Sequence, residues 1–140
     1  HQRHALQGAQ VAGGSLGGFA KTIGRPLAAG EADPLVPLNR RFGTLLQTLC
    51  ALPQWFIVAV EGAAMGGGFG LVCCADQVLA HTNAQFATPE VTLGIVPAQI
   101  APFVVRRLGS SAARWCLPTP RCIKVCPCCA SWRQRAQWTA

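Results

Sequence analysis

Acidic side chains are scarce in this chain of 140 residues: five Asp and Glu stand against twelve Lys and Arg, for a net charge of +7. None precedes Glu31 and none follows Glu90. Such an excess ordinarily points to an anionic partner, nucleic acid or a ligand phosphate. The middle of the chain argues against nucleic acid, because no Lys or Arg occurs between residues 42 and 105 and the basic flanks lack interleaved aromatics for stacking. No apolar run approaches the ~20 residues that span a bilayer. Pro53 and Glu61 bracket the best candidate, so no membrane segment is expected. His1-Gln2-Arg3-His4 has no apolar signal-peptide region behind it, and the core reads as cytoplasmic. Paired C-x2-C knuckles are also missing. Of eight cysteines, Cys50, Cys73 and Cys74 sit in apolar patterns as small hydrophobes, and the other five crowd between Cys116 and Cys129 at spacings unsuited to a zinc site. No metal is expected.

What the chain does contain is concentrated between residues 31 and 110. At this length it forms one domain at most, large enough for a real core. Asp33 suits an N-cap and Pro34 the first helical position. Leu35, Leu38, Phe42, Leu45, Leu46, Leu49 and Leu52 then recur at helical spacing until Pro53 stops the pattern. Arg40, Arg41 and Gln47 fall on the opposite face, as a solvated surface or, less simply, a phosphate contact. Residues 55–60, 77–80 and 84–87 read as short strands, and residues 98–108 as an amphipathic helix ended by Gly109. Strand–helix–strand alternation predicts an α/β architecture.

Gly62-Ala63-Ala64-Met65-Gly66-Gly67-Gly68-Phe69-Gly70 lies between the first strand and the apolar helical run Leu71–Ala75. A strand that turns through glycines into a helix presents free N–H groups and the positive end of the helix dipole, which favour a developing negative charge. The same glycines also serve close helix–strand packing. Twenty residues after Gly70 comes a lone carboxylate, Glu90, in Thr-Pro-Glu-Val-Thr-Leu-Gly. Phe86, Val91 and Leu93 surround it with apolar neighbours, which predicts a raised pKa suited to proton transfer. His81 reads as a polar strand-end residue and Asp76 as the bound of the glycine-led helix.

Gly66-Gly67-Gly68, Asp76, Ala84-Gln85-Phe86, Pro89-Glu90 and Leu93-Gly94-Ile95-Val96-Pro97 are five blocks in order, and from Leu52 to Gly109 the chain resembles the enoyl-CoA hydratase/isomerase (crotonase) family. The resemblance implies a right-handed spiral of ββα units. Family domains are longer, so a partial spiral, incomplete at both ends, is expected. It also implies an acyl-CoA thioester substrate, coenzyme A being part of that substrate with no separate cofactor, and assembly as a homotrimer or hexamer. Glu90 would transfer the proton and the Gly67 amide would hold the thioester oxyanion, with Gly66, Gly68 and Pro89 shaping the site. The second oxyanion donor of the family lies in an upstream loop. Ser15-Leu16-Gly17-Gly18-Phe19 is the nearest equivalent, placing Leu16 at the donor position and Phe19 where the family has Asp.

Two-glutamate hydratases of the family carry a Glu where this chain has Gly70. That leaves a one-carboxylate isomerase, or a hydratase for a special substrate. Asp33-Pro34-Leu35-Val36-Pro37-Leu38-Asn39-Arg40-Arg41, Gly68-Phe69-Gly70-Leu71 and Ala98-Gln99-Ile100-Ala101-Pro102 resemble the family's hydratases of branched, carboxylate-bearing glutaconyl thioesters. Gly70 is then expected to leave room for the acyl group. An inactive acyl-CoA-binding remnant is the third reading.

Three stretches are expected: an irregular Gly-rich segment at 1–30, the crotonase-like core at 31–110, and an atypical tail at 111–140. The tail is rich in Cys, Arg and Trp and lacks the family's pattern. It reads as a variant tail, a metal-binding tail, a cloning remnant or a frame-shifted stretch. The last accounts best for losing pattern and similarity together, and predicts a segment that packs poorly.

Overall fold

The computed structural model describes residue 28, residues 30–120 and the backbone of residues 123–124. Helix α1 spans Leu35–Cys50. The N-cap position falls at Pro34 rather than Asp33, whose Oδ1 accepts from the Leu35 amide at 2.8 Å just outside the helix. The apolar stripe is used unevenly: Leu46 is fully buried and Phe42 and Leu49 pack beside it, while Leu38 and Leu45 stay exposed.

The strands repeat with an advance of about twenty residues. β1 (Ile57–Val60) leads through Glu61-Gly62 into β2 (Ala63–Met65), and helix α2 (Gly67–Cys74) returns the chain. β3 (Gln77–Ala80) lies parallel to β1, in register Val58 with Val78, and β4 (Gln85–Ala87) lies parallel to β2, in register Ala64 with Phe86. Each pass thus lays one strand on each of two sheets, which is the ββα stacking of an α/β spiral. A mutual clasp starts the first pair: the Asp76 amide donates to the Phe56 carbonyl at 2.8 Å, and the Phe56 amide to Asp76 Oδ2 at 2.9 Å. β1 begins at Ile57 rather than at Trp55, which precedes the ladder and is 75% exposed.

A 3-10 helix (Pro89–Leu93) follows β4, then α3 (Ala101–Leu108) and α4 (Ser110–Cys116). Gly109, at φ +81°, turns the chain between the two helices. β5 (Ile123–Lys124) adds to β4 in antiparallel sense. Helix α2 is buried on nearly every side, lying among β2, α1 and α3. Its Phe69 ring sits 5.7 Å from that of Phe86. With Leu46, Val78 and Val104, these rings form the centre of the core, each large side chain contributing about 1.5–3 kcal/mol by leaving water.

The break in character expected at residue 111 does not fall there. Helix α4 packs on α3 and sends Ala113 and Cys116 into the core, both almost fully buried. Thr88, buried at the end of β4, donates its hydroxyl to the Cys116 carbonyl at 3.1 Å. Residues 110–117 therefore belong with the core. The remainder of the tail, like the segment before residue 28, lies outside the described residues apart from residues 118–120 and the short strand.

Candidate active site

Gly66 joins β2 to α2 at φ +53° and ψ −120°, a conformation that residues with a Cβ rarely hold. Its amide still donates to the Ala87 carbonyl of β4 at 2.8 Å, and its carbonyl accepts the first helical bond, from the Gly70 amide at 3.1 Å. The intervening amides of Gly67, Gly68 and Phe69 have no acceptor among the described residues. They are the free N–H groups of a helix start, available to an anion.

The strand partner of this turn delivers the carboxylate. β4 runs through Thr88 into the 3-10 helix, where Pro89 occupies the first turn beside Glu90. A Cβ on Gly66 would lie 3.0 Å from Glu90 Oε2 and 3.4 Å from Oε1, so the carboxylate rests directly against the glycine. Oε2 is shielded from solvent and has no hydrogen-bond partner among the described residues. Burial raises the Glu90 pKa above its ordinary value, and a bond from its own backbone amide only partly opposes this. A half-buried base of raised pKa therefore stands beside unspent N–H donors. It can move a proton next to a site that stabilises an oxyanion.

The structure places the Glu90 carboxylate against Gly66, with Pro89 beside it in the 3-10 helix and Gly67 and Gly68 next to Gly66 at the start of α2. Leu16 lies outside the described residues. The space beside Gly70 is filled, contrary to the open volume expected there. A Cβ at Gly70 would lie 3.0 Å from Ile100 Cβ and closer still to Ile100 Cγ2, with Leu46 Cδ1 at 3.7 Å. Gly70 is buried, and the space beside its Cα is filled by Ile100, itself 3% exposed. Ile100 fills the space beside Gly70 and Thr88 ties the end of β4 to α4, both through contacts with elements distant in the chain.

Among the described residues, neither His81 nor the cysteines add chemistry. His81 Nδ1 accepts from the Asn83 amide in the turn after β3. Burial pushes the Cys73 thiol well up and the Cys74 thiol up to about 12, so both stay protonated and serve as small apolar groups. Among the described residues no three His, Cys, Asp or Glu side chains gather as a metal site, and no helix is long and apolar enough to cross a membrane.

The enoyl-CoA hydratase/isomerase family model matches residues 28–125. The chain belongs to the enoyl-CoA hydratase/isomerase family. Within it, the 2,3-dehydroadipyl-CoA hydratase of Escherichia coli K12 is 39% identical over 84 residues, 59% of this chain and 33% of that enzyme. The crystal structure of an enoyl-CoA hydratase/isomerase from Marinobacter aquaeolei superposes with a TM-score of 0.72 at 37% identity, over 89% of this chain and 46% of that one. AtuE of Pseudomonas aeruginosa superposes with a TM-score of 0.68 at 44% identity, over 77% of this chain and 40% of that one. The chain spans about a third of the length of the curated relatives it matches. The fold is thus a partial crotonase spiral, and the Gly66–Glu90 arrangement lies inside the matched region.

Proposed function

We propose that this chain carries the reacting centre of an enoyl-CoA hydratase whose acyl group is branched and glutaconyl-type, as in isohexenylglutaconyl-CoA hydratases. The observation that carries the reading is the Glu90 carboxylate lying against Gly66 beside the unspent amides of Gly67 and its neighbours. The thioester carbonyl would accept from the Gly67 amide, with Leu16 as candidate second donor. Glu90 takes a proton from water as the water oxygen bonds to the β-carbon. The electron pair of the double bond moves onto the carbonyl oxygen as an enolate. Glu90 then returns the proton to the α-carbon, and the enolate collapses to the saturated hydroxyacyl thioester. Removing an oxyanion donor of this kind typically raises the barrier by about 2.7–4 kcal/mol. Coenzyme A enters with the substrate, and the chemistry needs no other cofactor.

One observation favours a second reading. Position 70 is glycine and faces Ile100, so a single carboxylate serves the site. One carboxylate is sufficient for an isomerase, which moves a proton between the α- and γ-carbons. Assembly as a trimer or hexamer and a cytoplasmic location accompany both readings.

The test is turnover and binding of a glutaconyl-type enoyl-CoA by the chain and by Glu90→Gln. Loss of kcat with thioester affinity kept supports Glu90 as the proton carrier. Retained kcat within a few-fold removes Glu90 from the mechanism. Binding without turnover in either protein supports an inactive acyl-CoA-binding remnant, and no binding in either refutes the reading.

A further inference from the structure

A second polar feature adjoins Ile100, the residue that fills the space beside Gly70. Gly70 follows Gly66 by four residues, about 6 Å along the axis, and it touches Ile100. The residue before Ile100, Gln99, crosses to α1 and lies over Gly43. A Cβ at Gly43 would be 2.8 Å from Gln99 Oε1, so glycine there permits the crossing. Between Gln99 and α1 opens a cleft of about 430 Å³, whose polar lining includes Asn39, Arg40 and Gln47.

The lining has one cation and no carboxylate. The side chains of Asn39, Arg40, Gln47 and Gln99 make no hydrogen bond or ion pair with any described residue, while the Thr44 hydroxyl is engaged by the Arg40 carbonyl. A guanidinium and three amide groups therefore offer N–H donors to one space, all unspent. Arginine presents its donors as a planar fork matched to a carboxylate, and the amides can complete the remaining lone pairs. The set suits a monoanion. Gln99 is distant in sequence from Asn39 and Arg40, and the fold brings the three to one cleft.

We propose that this cleft is an anion subsite that receives a carboxylate on the acyl group, remote from the thioester. The proposal rests on the acyl-CoA reading above and extends it. The thioester would sit at the α2 start and the second carboxylate at the Arg40–Gln99 cleft.

The experiment compares glutaryl-CoA with butyryl-CoA, saturated and unreactive thioesters that differ by a terminal carboxylate. Calorimetric affinities are measured for the chain, Arg40→Met and Gln99→Leu. Arg40 is exposed, so its replacement leaves the core intact. The chain is expected to bind glutaryl-CoA about tenfold or more tightly than butyryl-CoA, as for one charge-assisted contact. Arg40→Met should erase that preference without changing butyryl-CoA affinity, and Gln99→Leu should reduce it in part. Equal affinities in the chain overturn the subsite and leave the acyl-CoA reading standing. Equal weakening of both esters by Arg40→Met also overturns it, assigning the arginine to a coenzyme A phosphate. If neither ester binds the chain, the acyl-CoA reading falls and the subsite with it.

Discussion

Replacing Gly70 by alanine tests the packing that sets position 70 apart. In an open helix the change would stabilise, because alanine is favoured over glycine by about 1 kcal/mol in a helix interior. Here the added methyl meets Ile100 at 3.0 Å from its Cβ and nearer from Cγ2, with Leu46 behind it. Both neighbours are branched core side chains, 3% and 0% exposed, with no solvent to swing into. Overpacking of this kind costs about 1–3 kcal/mol. At roughly 3 °C per kcal/mol for a domain of this size, Gly70→Ala should lower Tm by about 3–9 °C. Ile100→Ala alone opens a cavity and should cost about 2–5 kcal/mol. The decisive protein is the double variant. With Ile100 trimmed, the alanine at 70 has room and regains its helix preference, so Gly70→Ala should be neutral or stabilising in the Ile100→Ala background. The expected coupling is therefore ~1–3 kcal/mol and favourable, measured by thermal or denaturant unfolding of all four proteins. Single effects that add to within about 0.5 kcal/mol would show that residues 70 and 100 do not touch.

Other expectations follow from buried polar groups. Glu90→Gln should raise stability at neutral pH: burial lifts the folded-state pKa, so the folded protein binds its proton more tightly than the unfolded chain does. The ionised carboxylate is then a destabilising element above its folded pKa, and the advantage of Gln should shrink as pH falls from that value toward the ordinary carboxylate range. A Tm difference independent of pH between neutrality and that range would contradict the raised pKa. Thr88→Val should cost about 1–3 kcal/mol, because the fully buried hydroxyl is the donor to the Cys116 carbonyl. An unchanged denaturation midpoint would mean that α4 does not depend on this link.

Local chemistry made much of the framework readable. The Asp33–Pro34 start and leucine spacing of α1, the alternation into β3 and the terminal Gly109 are signals carried within a few residues of where they act. So is the glycine turn, because φ +53° at Gly66 selects a glycine whatever lies around it. The apolar sequence neighbours of Glu90 likewise point to a carboxylate of raised pKa, and burial does raise it. Three features were not readable in this way. The apolar face of α1 is only partly covered, which depends on what packs there rather than on spacing. Helix α4 hides in Ser-Ser-Ala-Ala-Arg-Trp-Cys, whose two inward residues, Ala113 and Cys116, are too small to mark a face. Gly70 reads as an absence of side chain, and an absence does not say what fills it.

That last point changes how a one-carboxylate site is maintained. If position 70 opened into the acyl pocket, a single substitution to glutamate would supply a second carboxylate. With Ile100 seated against it, a glutamate at 70 must displace a branched side chain from a closed core before it can reach any substrate. The steric cost falls on Gly70→Glu alone and is relieved only when residue 100 shrinks as well. A gain of straight-chain enoyl-CoA hydration is therefore expected from Gly70→Glu combined with Ile100→Gly, and not from Gly70→Glu by itself. On the proposed hydratase reading, positions 70 and 100 must change together for Glu90 to gain a second carboxylate as partner.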